Sequence, residues 1–206
     1  MSRTSRSVPT LALAALLAGF ALTGCADSKS GAAAVVDGDR IEISSLNARV
    51  EQAADTREKA GGQQVPGVDA TRAQLAYMLE ERVTKEAADR AGITATATDV
   101  VDWKRVWTVQ NRGASLTDVA ARSGIAGDQL DRLVATEVLQ DKLVLQQAAK
   151  EGKVPTDAML TRILSDTAAT LKITVNPRYG SSWSPTDEGG ALSPTQYAWL
   201  TPKFIA

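Results

Sequence analysis

The segment from Gly127 to Gly152 constrains the fold most, because its apolar residues repeat with helical spacing on two sides. One side carries four apolar residues: Leu130, Val134, Val138 and Leu145. Leu139 and Leu143 point in nearly the opposite direction. A helix that is apolar on two sides is usually central to its domain, or else contacts a partner. We therefore expect the other elements to pack around this helix, which we predict to be the longest.

Five further segments combine helical periodicity with start or stop signals. They are Ser44 or Ser45 to about Glu58, Thr71 to Gly92, Thr98 to Gln110, Ser115 to Gly124, and Thr156 to about Ala169. Thr71 and Gln74 match a capping box, so the second helix is expected to begin at Thr71. Ser44 or Ser45 is expected to cap the first helix.

Short β-prone runs stand at both ends of this helical block. Residues 33–43 contain Asp37-Gly38 between apolar residues, which predicts a hairpin. Leu171 to Val175 alternates apolar and polar residues until Asn176-Pro177 ends it, which predicts a returning strand. The predicted fold is therefore mainly α, spanning residues 33–183, with a small sheet formed from the hairpin and the returning strand.

Residues 184–206 are rich in Ser, Pro, Gly and Thr, and this composition predicts a tail. The tail nevertheless contains Tyr197, Trp199 and Phe204. Disordered segments are usually poor in aromatic residues. We therefore expect at least part of the tail to dock on the domain.

The first 24 residues have the pattern of a secretory leader. Arg3 and Arg6 precede an apolar run that ends at Leu22-Thr23-Gly24-Cys25, where the sole cysteine of the chain stands. This ending looks like a bacterial lipobox, which predicts cleavage before Cys25 and lipidation of its thiol. Residues 25–32 are then a tether, and the protein is anchored by lipid on the extracytoplasmic face of the cell membrane. The alternative is an ordinary signal peptide cut near Ala26.

Composition excludes several classes of function. Cleavage before Cys25 removes Arg3 and Arg6, so 21 basic and 24 acidic residues remain, a balance that argues against nucleic-acid binding. The chain has no histidine, which excludes Ser-His-Asp and Cys-His hydrolases. Asp37 and Asp39 flank a glycine as in a calcium loop, but the remaining ligands are absent. We expect no metal, no cofactor and no catalytic site.

The two ends of the predicted domain carry a family likeness. Val36-Asp37-Gly38-Asp39-Arg40-Ile41, followed by Ser44-Ser45-Leu46, resembles the start of SurA-type chaperone domains, as in SurA and PrsA. The stretch from Ile173 to Gly180, with Trp183 shortly after, resembles the end of actinobacterial lipoproteins that carry a SurA-like N-terminal domain. The resemblance implies chaperone-like binding of unfolded or exported polypeptides. It implies no isomerase activity, because the segment from Gly152 to Leu171 is too short for the parvulin domain that related foldases insert.

Four aromatic residues are the candidate client-binding set: Trp103, Trp107, Tyr179 and Trp183. Trp103 and Trp107 lie one helical turn apart, and they either fill the core against the long helix or line an apolar groove for client segments. The predicted function is chaperone-like binding by a lipid-anchored protein. The alternative is a non-catalytic module that holds one specific folded partner of the cell envelope.

Overall fold

The part of the chain described by this computed structural model, residues 31–186 and 189–193, begins with the predicted hairpin. Strands β1 (Ala32–Val36) and β2 (Asp39–Glu42) pair antiparallel. The two turn residues have positive φ, 50° at Asp37 and 93° at Gly38. Two-residue turns of this kind match the twist of the strands that they join. The predicted hairpin is therefore confirmed, and Asp37 shapes its turn.

The returning strand closes the sheet as predicted. Strand β3 (Ile173–Val175) pairs antiparallel with β1, and the strand order is β2-β1-β3. Asn176 extends this pairing with two hydrogen bonds. Its side-chain Nδ2 donates to the carbonyl of Ala32 (3.0 Å), and its backbone amide donates to the carbonyl of Ala33 (2.9 Å). At the other end of the pair, the Asp37 carboxylate accepts from the amide of Lys172 (2.9 Å). The two motifs that carry the family likeness are thus bonded to each other.

Helices dominate the chain between β2 and β3, which confirms the mainly α fold. They are α1 (Ile43–Lys59), α2 (Gly67–Ala91), α3 (Ala97–Gln110), α4 (Leu116–Arg122), α5 (Gly127–Glu151) and α6 (Asp157–Thr170). Helices α2 and α5 have 25 residues each, so the predicted longest helix shares its length with α2.

The predicted starts of α1, α2 and α3 are wrong by one to four residues. Helix α1 follows β2 directly, with Glu42 rather than Ser44 or Ser45 at its N-cap. Helix α2 begins at Gly67 and has Pro66 at its N-cap, with a φ of −50° and a non-helical ψ of 137°. The Thr71 hydroxyl instead donates back to the carbonyl of Gly67. Helix α3 is capped by Thr96 through a capping box with its third residue.

Helix α5 is central, because its two apolar sides belong to different clusters. Leu130, Val134 and Val138 pack with Ala120 of α4 and with the inner side of α3. Leu139 and Leu143 face the main core, which α2, α6 and the three-stranded sheet form. Leu145 departs from the prediction, since it is 57% exposed.

A second hairpin, β4 (Trp183–Thr186) and β5 (Gly189–Leu192), follows the sheet. Trp183 and Leu192 belong to the main core, and the carbonyl of Leu192 accepts from Nη2 of Arg72 on α2 (2.6 Å). The first part of the predicted tail thus packs on α2 and the main core. The predicted boundary between residues 183 and 184 lies within β4.

The leader and most of the tether lie outside the described residues. Cys25 and residues 1–30 belong to this part, as do residues 194–206 at the other end. Ala32, the last residue of the predicted tether, is already in β1. Within the described ranges, no helix has the length and apolar character needed to cross a membrane.

Candidate functional site

A cleft of about 760 Å³ opens between α1, α2, α5 and α6. Side chains from four helices line it, together with residues of the two loops that precede α5 and α6. The apolar lining residues with most exposed surface are Tyr77 of α2 (49%) and Leu145 of α5 (57%). Leu133, Val144 and Leu160 add partly buried apolar surface. The cleft thus offers apolar contact area that the described fold does not cover.

One wall of the cleft is the third side of α5, between its two apolar sides. Gln140 is buried there, and its Nε2 donates to Glu80 (3.0 Å) and to Thr84 (3.1 Å) of α2. Gln129 is also buried, and its Nε2 donates to Gln52 of α1 (2.6 Å). Because buried amides are costly unless hydrogen-bonded, these contacts fix the spacing of α5 from α1 and α2. They hold the two sides of the cleft in place.

Acidic side chains outnumber basic ones in the lining, with five carboxylates against two guanidiniums. The acidic residues are Glu80, Glu81, Glu137, Asp141 and Asp157. Arg49 pairs with Glu81 (3.3 Å), and Arg132 pairs with Asp128 outside the lining (3.8 Å). None of the ion pairs among the described residues includes the other four carboxylates. The cleft therefore has a net negative charge that a cationic ligand would complement.

Glu137 has the most perturbed acid–base equilibrium of these carboxylates. Burial raises its pKa to about 7, and the neighbouring Glu80 and Asp141 add to the rise. Burial also raises the pKa of Asp141, although the hydrogen bond from Trp103 opposes that rise. The charge of the cleft consequently changes near neutral pH.

Trp103 lies behind the cleft rather than in it. Its ring packs against the cluster that contains Leu130, Val134 and Val138, and its Nε1 donates to Oδ2 of Asp141 (3.2 Å). Of the two alternatives for Trp103, this position corresponds to packing against the long helix rather than lining a groove. Asp141 thus touches the cleft on one side and an aromatic ring on the other.

Ion pairs hold α3 against α5. Lys142 Nζ donates to Oδ2 of Asp99 (2.7 Å), and Lys104 pairs with Asp131. The hydrogen bond from Lys142, followed by those from Thr96, lowers the pKa of Asp99 to about 2. Trp107 is half-buried on the same helix and does not reach the cleft. Helix α3 is thus fastened at its inner side by charge as well as by packing.

The other two predicted aromatic residues lie near the sheet. Tyr179 follows β3 and packs half-buried against the main core. Trp183 is 7% exposed, and its indole ring packs directly over the backbone of Gly190 in β5. Its burial argues against direct contact with a client. The structure therefore does not bring the four predicted residues together.

Sequence reasoning missed the residues of the cleft. Glu137 and Gln140 fall between the two apolar sides of α5, where a central helix would otherwise be apolar. Polar residues at such inward positions of a central helix are the sequence signal that could have indicated the cleft. Tyr77 gave no signal of its own, because its exposure depends on how α1 and α6 sit beside α2.

Comparison of the chain with family models, with curated proteins and with solved structures finds no match. Within residues 31–186 and 189–193, no group of three or more His, Cys, Asp or Glu side chains could hold a metal ion. The geometry of the cleft combines exposed apolar surface with carboxylates that no described cation pairs with. This combination suits the binding of an extended segment that carries apolar and basic side chains.

Proposed function

We propose that this protein is a lipid-anchored extracytoplasmic lipoprotein that binds unfolded or exported polypeptides in the cleft, without isomerase activity. The single observation that carries the proposal is that exposed apolar surface at Tyr77 and Leu145 shares the cleft with carboxylates that form no ion pair among the described residues. Apolar side chains of a client would bury surface against Tyr77 and Leu145. Lysine or arginine side chains of the client would complement the carboxylates of the cleft.

The size of the cleft favours an extended segment over a folded domain. About 760 Å³ lies within the range of small-ligand sites, and it can receive a few side chains at a time. Polar groups at its walls are held by hydrogen bonds from Gln129 and Gln140. A preorganised cleft of this kind loses little conformational entropy when it binds.

The likeness of residues 36–46 and 173–183 to SurA-type chaperone domains supports the same function. Membrane anchoring rests on the lipobox-like Leu22-Thr23-Gly24-Cys25. A thioether-linked lipid with two acyl chains gives stable anchoring. The tether would hold β1 close to the membrane surface, because seven residues from Cys25 to Gly31 span at most about 25 Å.

Aggregation of an unfolded client tests the binding proposal. A form without residues 1–25 keeps every described residue, and we expect it to slow the aggregation of a reduced, carboxymethylated protein. Leu145→Lys should weaken this protection several-fold, because it places a cation and removes apolar surface at an exposed position. Val109→Lys, at an exposed site on α3 away from the cleft, is the matched control. Equal activity of both variants, or no protection at several-fold molar excess, would count against the proposal.

A second candidate function is a module that holds one folded partner of the cell envelope. Val101 (63% exposed) and Val109 (74% exposed) favour it, because they put apolar surface on the outward side of α3. A helix face with exposed apolar residues can dock in a hydrophobic groove of a folded partner. Loss of binding in Val109→Lys, with Leu145→Lys unaffected, would favour this function over the first.

A further inference from the structure

Strand β5 lies beside α2, which forms one wall of the cleft. The carbonyl of Leu192 accepts from Arg72 of α2, and Gln74 and Tyr77, further along the same helix, line the cleft. Gly190 of β5 donates its amide to Glu80 (3.2 Å), another lining residue. The last described residue, Ser193, therefore follows a strand that borders the α2 wall of the cleft, and its backbone bonds to Ser181 and Ser182.

We propose that residues 194–206 occupy this cleft and compete with clients for it. The inference rests on the proposed function, since it concerns the same cleft. The proposed occupant is a segment of the same chain. The alternative occupants are a second copy of the chain and an outside polypeptide.

The length of the segment allows this. Thirteen residues can extend over about 43 Å. The α2 residues from Arg72 to Glu81 cover a rise of about 14 Å along the helix axis. The segment can therefore follow the whole α2 wall of the cleft and still cross to α5 or α6.

Its chemistry matches the lining. Five large apolar residues occur in the thirteen: Tyr197, Trp199, Leu200, Phe204 and Ile205. Lys203 is the only charged side chain of the segment, and it is opposite in sign to the carboxylates of Glu80, Glu137, Asp141 and Asp157, which form no ion pair among the described residues. Apolar side chains with one cation and no acid are the combination that this cleft complements.

Tethering makes the segment an effective competitor. A short linker gives an effective concentration in the millimolar range, so even a weak contact is largely formed within one molecule. A client must displace the segment, and its apparent affinity falls by the fraction of molecules whose cleft is open. The segment would thus keep the apolar surface covered until a client of higher affinity arrives.

A fluorescein-labelled peptide with the sequence of residues 194–206 is the probe. It is titrated into the chain without residues 1–25, in the wild-type form and as the double variant Trp199→Ala, Phe204→Ala. We expect the double variant to bind the probe at least tenfold more tightly, because its own segment no longer competes. Thr195→Ala with Gln196→Ala, in the same segment, is the matched control and should bind the probe like the wild type.

Adding Leu145→Lys to the double variant locates the binding, and we expect it to weaken probe binding several-fold, whereas added Val109→Lys should not. Equal probe affinity of wild type and double variant, or no binding by either, overturns the inference. If the wild type dimerises with rising concentration and the double variant does not, the inference is overturned in favour of a second copy.

Protection of an unfolded client is measured on the same samples. Protection without probe binding refutes this inference alone, whereas probe binding without protection refutes the proposed function alone.

Discussion

At the scale of single residues, Glu137 is the least favourably placed carboxylate of the cleft. It lies on α5 between Glu80 of α2 and Asp141 one turn along, and its pKa is raised to about 7 by burial and by these two neighbours. Arg49 and Arg132 also line the cleft, but they pair with Glu81 and Asp128. The fold therefore tolerates the charge of Glu137 at some cost.

Glu137→Gln should remove the destabilisation that the buried charge of Glu137 causes. The raised pKa means that the folded state keeps its proton while the unfolded state, at an ordinary pKa of 4.5, loses it. Wild-type stability should thus fall as the pH rises from about 4.5 to 7 and then level off. The variant should gain on the order of 1–3 kcal/mol in free energy of unfolding at pH 8 and little at pH 4. Urea unfolding across this range measures the difference.

Glu51→Gln is the control for the loss of one negative charge, because Glu51 is exposed on α1. It should change the free energy of unfolding by a few tenths of a kcal/mol at most. A gain by Glu137→Gln that is the same at pH 4 and pH 8 would contradict the assignment of the raised pKa.

The same ionisation should also govern ligand binding. Above pH 7 Glu137 is charged and the cleft is more negative, so a peptide with apolar and lysine side chains should bind about two- to fivefold more tightly at pH 8 than at pH 6. Glu137→Gln should flatten this pH dependence. Fluorescence anisotropy at both pH values measures it, and an affinity that falls with rising pH in the wild type would refute the role of Glu137.

At the scale of elements, the β4–β5 hairpin depends on one glycine. A Cβ at Gly190 would lie 2.2 Å from Nε1 of Trp183, whose ring is nearly fully buried against it. Gly190→Ala should therefore displace the ring and loosen the hairpin from α2. We expect a loss of about 1–3 kcal/mol in the free energy of unfolding, measured by urea titration.

Gly67→Ala is the matched control, since a Cβ at the start of α2 would meet nothing within 4 Å. It should leave stability unchanged or raise it slightly, because alanine is the better helix former. If Gly190→Ala were as stable as Gly67→Ala, the hairpin would have to repack with little resistance. That result would contradict the close packing of Trp183 on β5.

The elements also show what could be predicted from the sequence. The first hairpin, α4 to α6 and the ends at Gly92 and Gly152 follow from local signals, such as positive φ at glycine or a side-chain cap at Ser115 and Thr156. The β4–β5 hairpin was missed because its stability comes from docking on α2. Its sequence, rich in Ser, Pro and Gly, is locally weak.

The cleft could not be predicted for a similar reason. Leu145 falls on an apolar side of α5, and helical periodicity alone assigns it to the core. It is exposed because the elements that bury Leu130 and Val134 do not extend over it. Which positions stay uncovered depends on the lengths and angles of neighbouring helices, which periodicity does not encode.

At the scale of the whole molecule, the fold is closed by residues far apart in sequence. Asn176 joins the end of β3 to the start of β1 across 144 positions of the chain. Its Oδ1 also accepts from the amide of Arg178 (3.1 Å), which fixes the turn that follows. A single amide side chain thus holds together the point where the chain enters and leaves the helical block.

Asn176→Ala should therefore loosen the sheet without unfolding the helices. One partly buried and one exposed hydrogen bond are lost, and we expect a decrease of about 1–2 kcal/mol in the free energy of unfolding. Hydrogen exchange should accelerate in β1 and β3 and change little in α5. Asn111→Ala is the control, because Asn111 donates only locally, to the carbonyl of Trp107 (2.8 Å). Unchanged exchange in β1, or equal acceleration throughout α5, would show that Asn176 is not the residue that closes the fold.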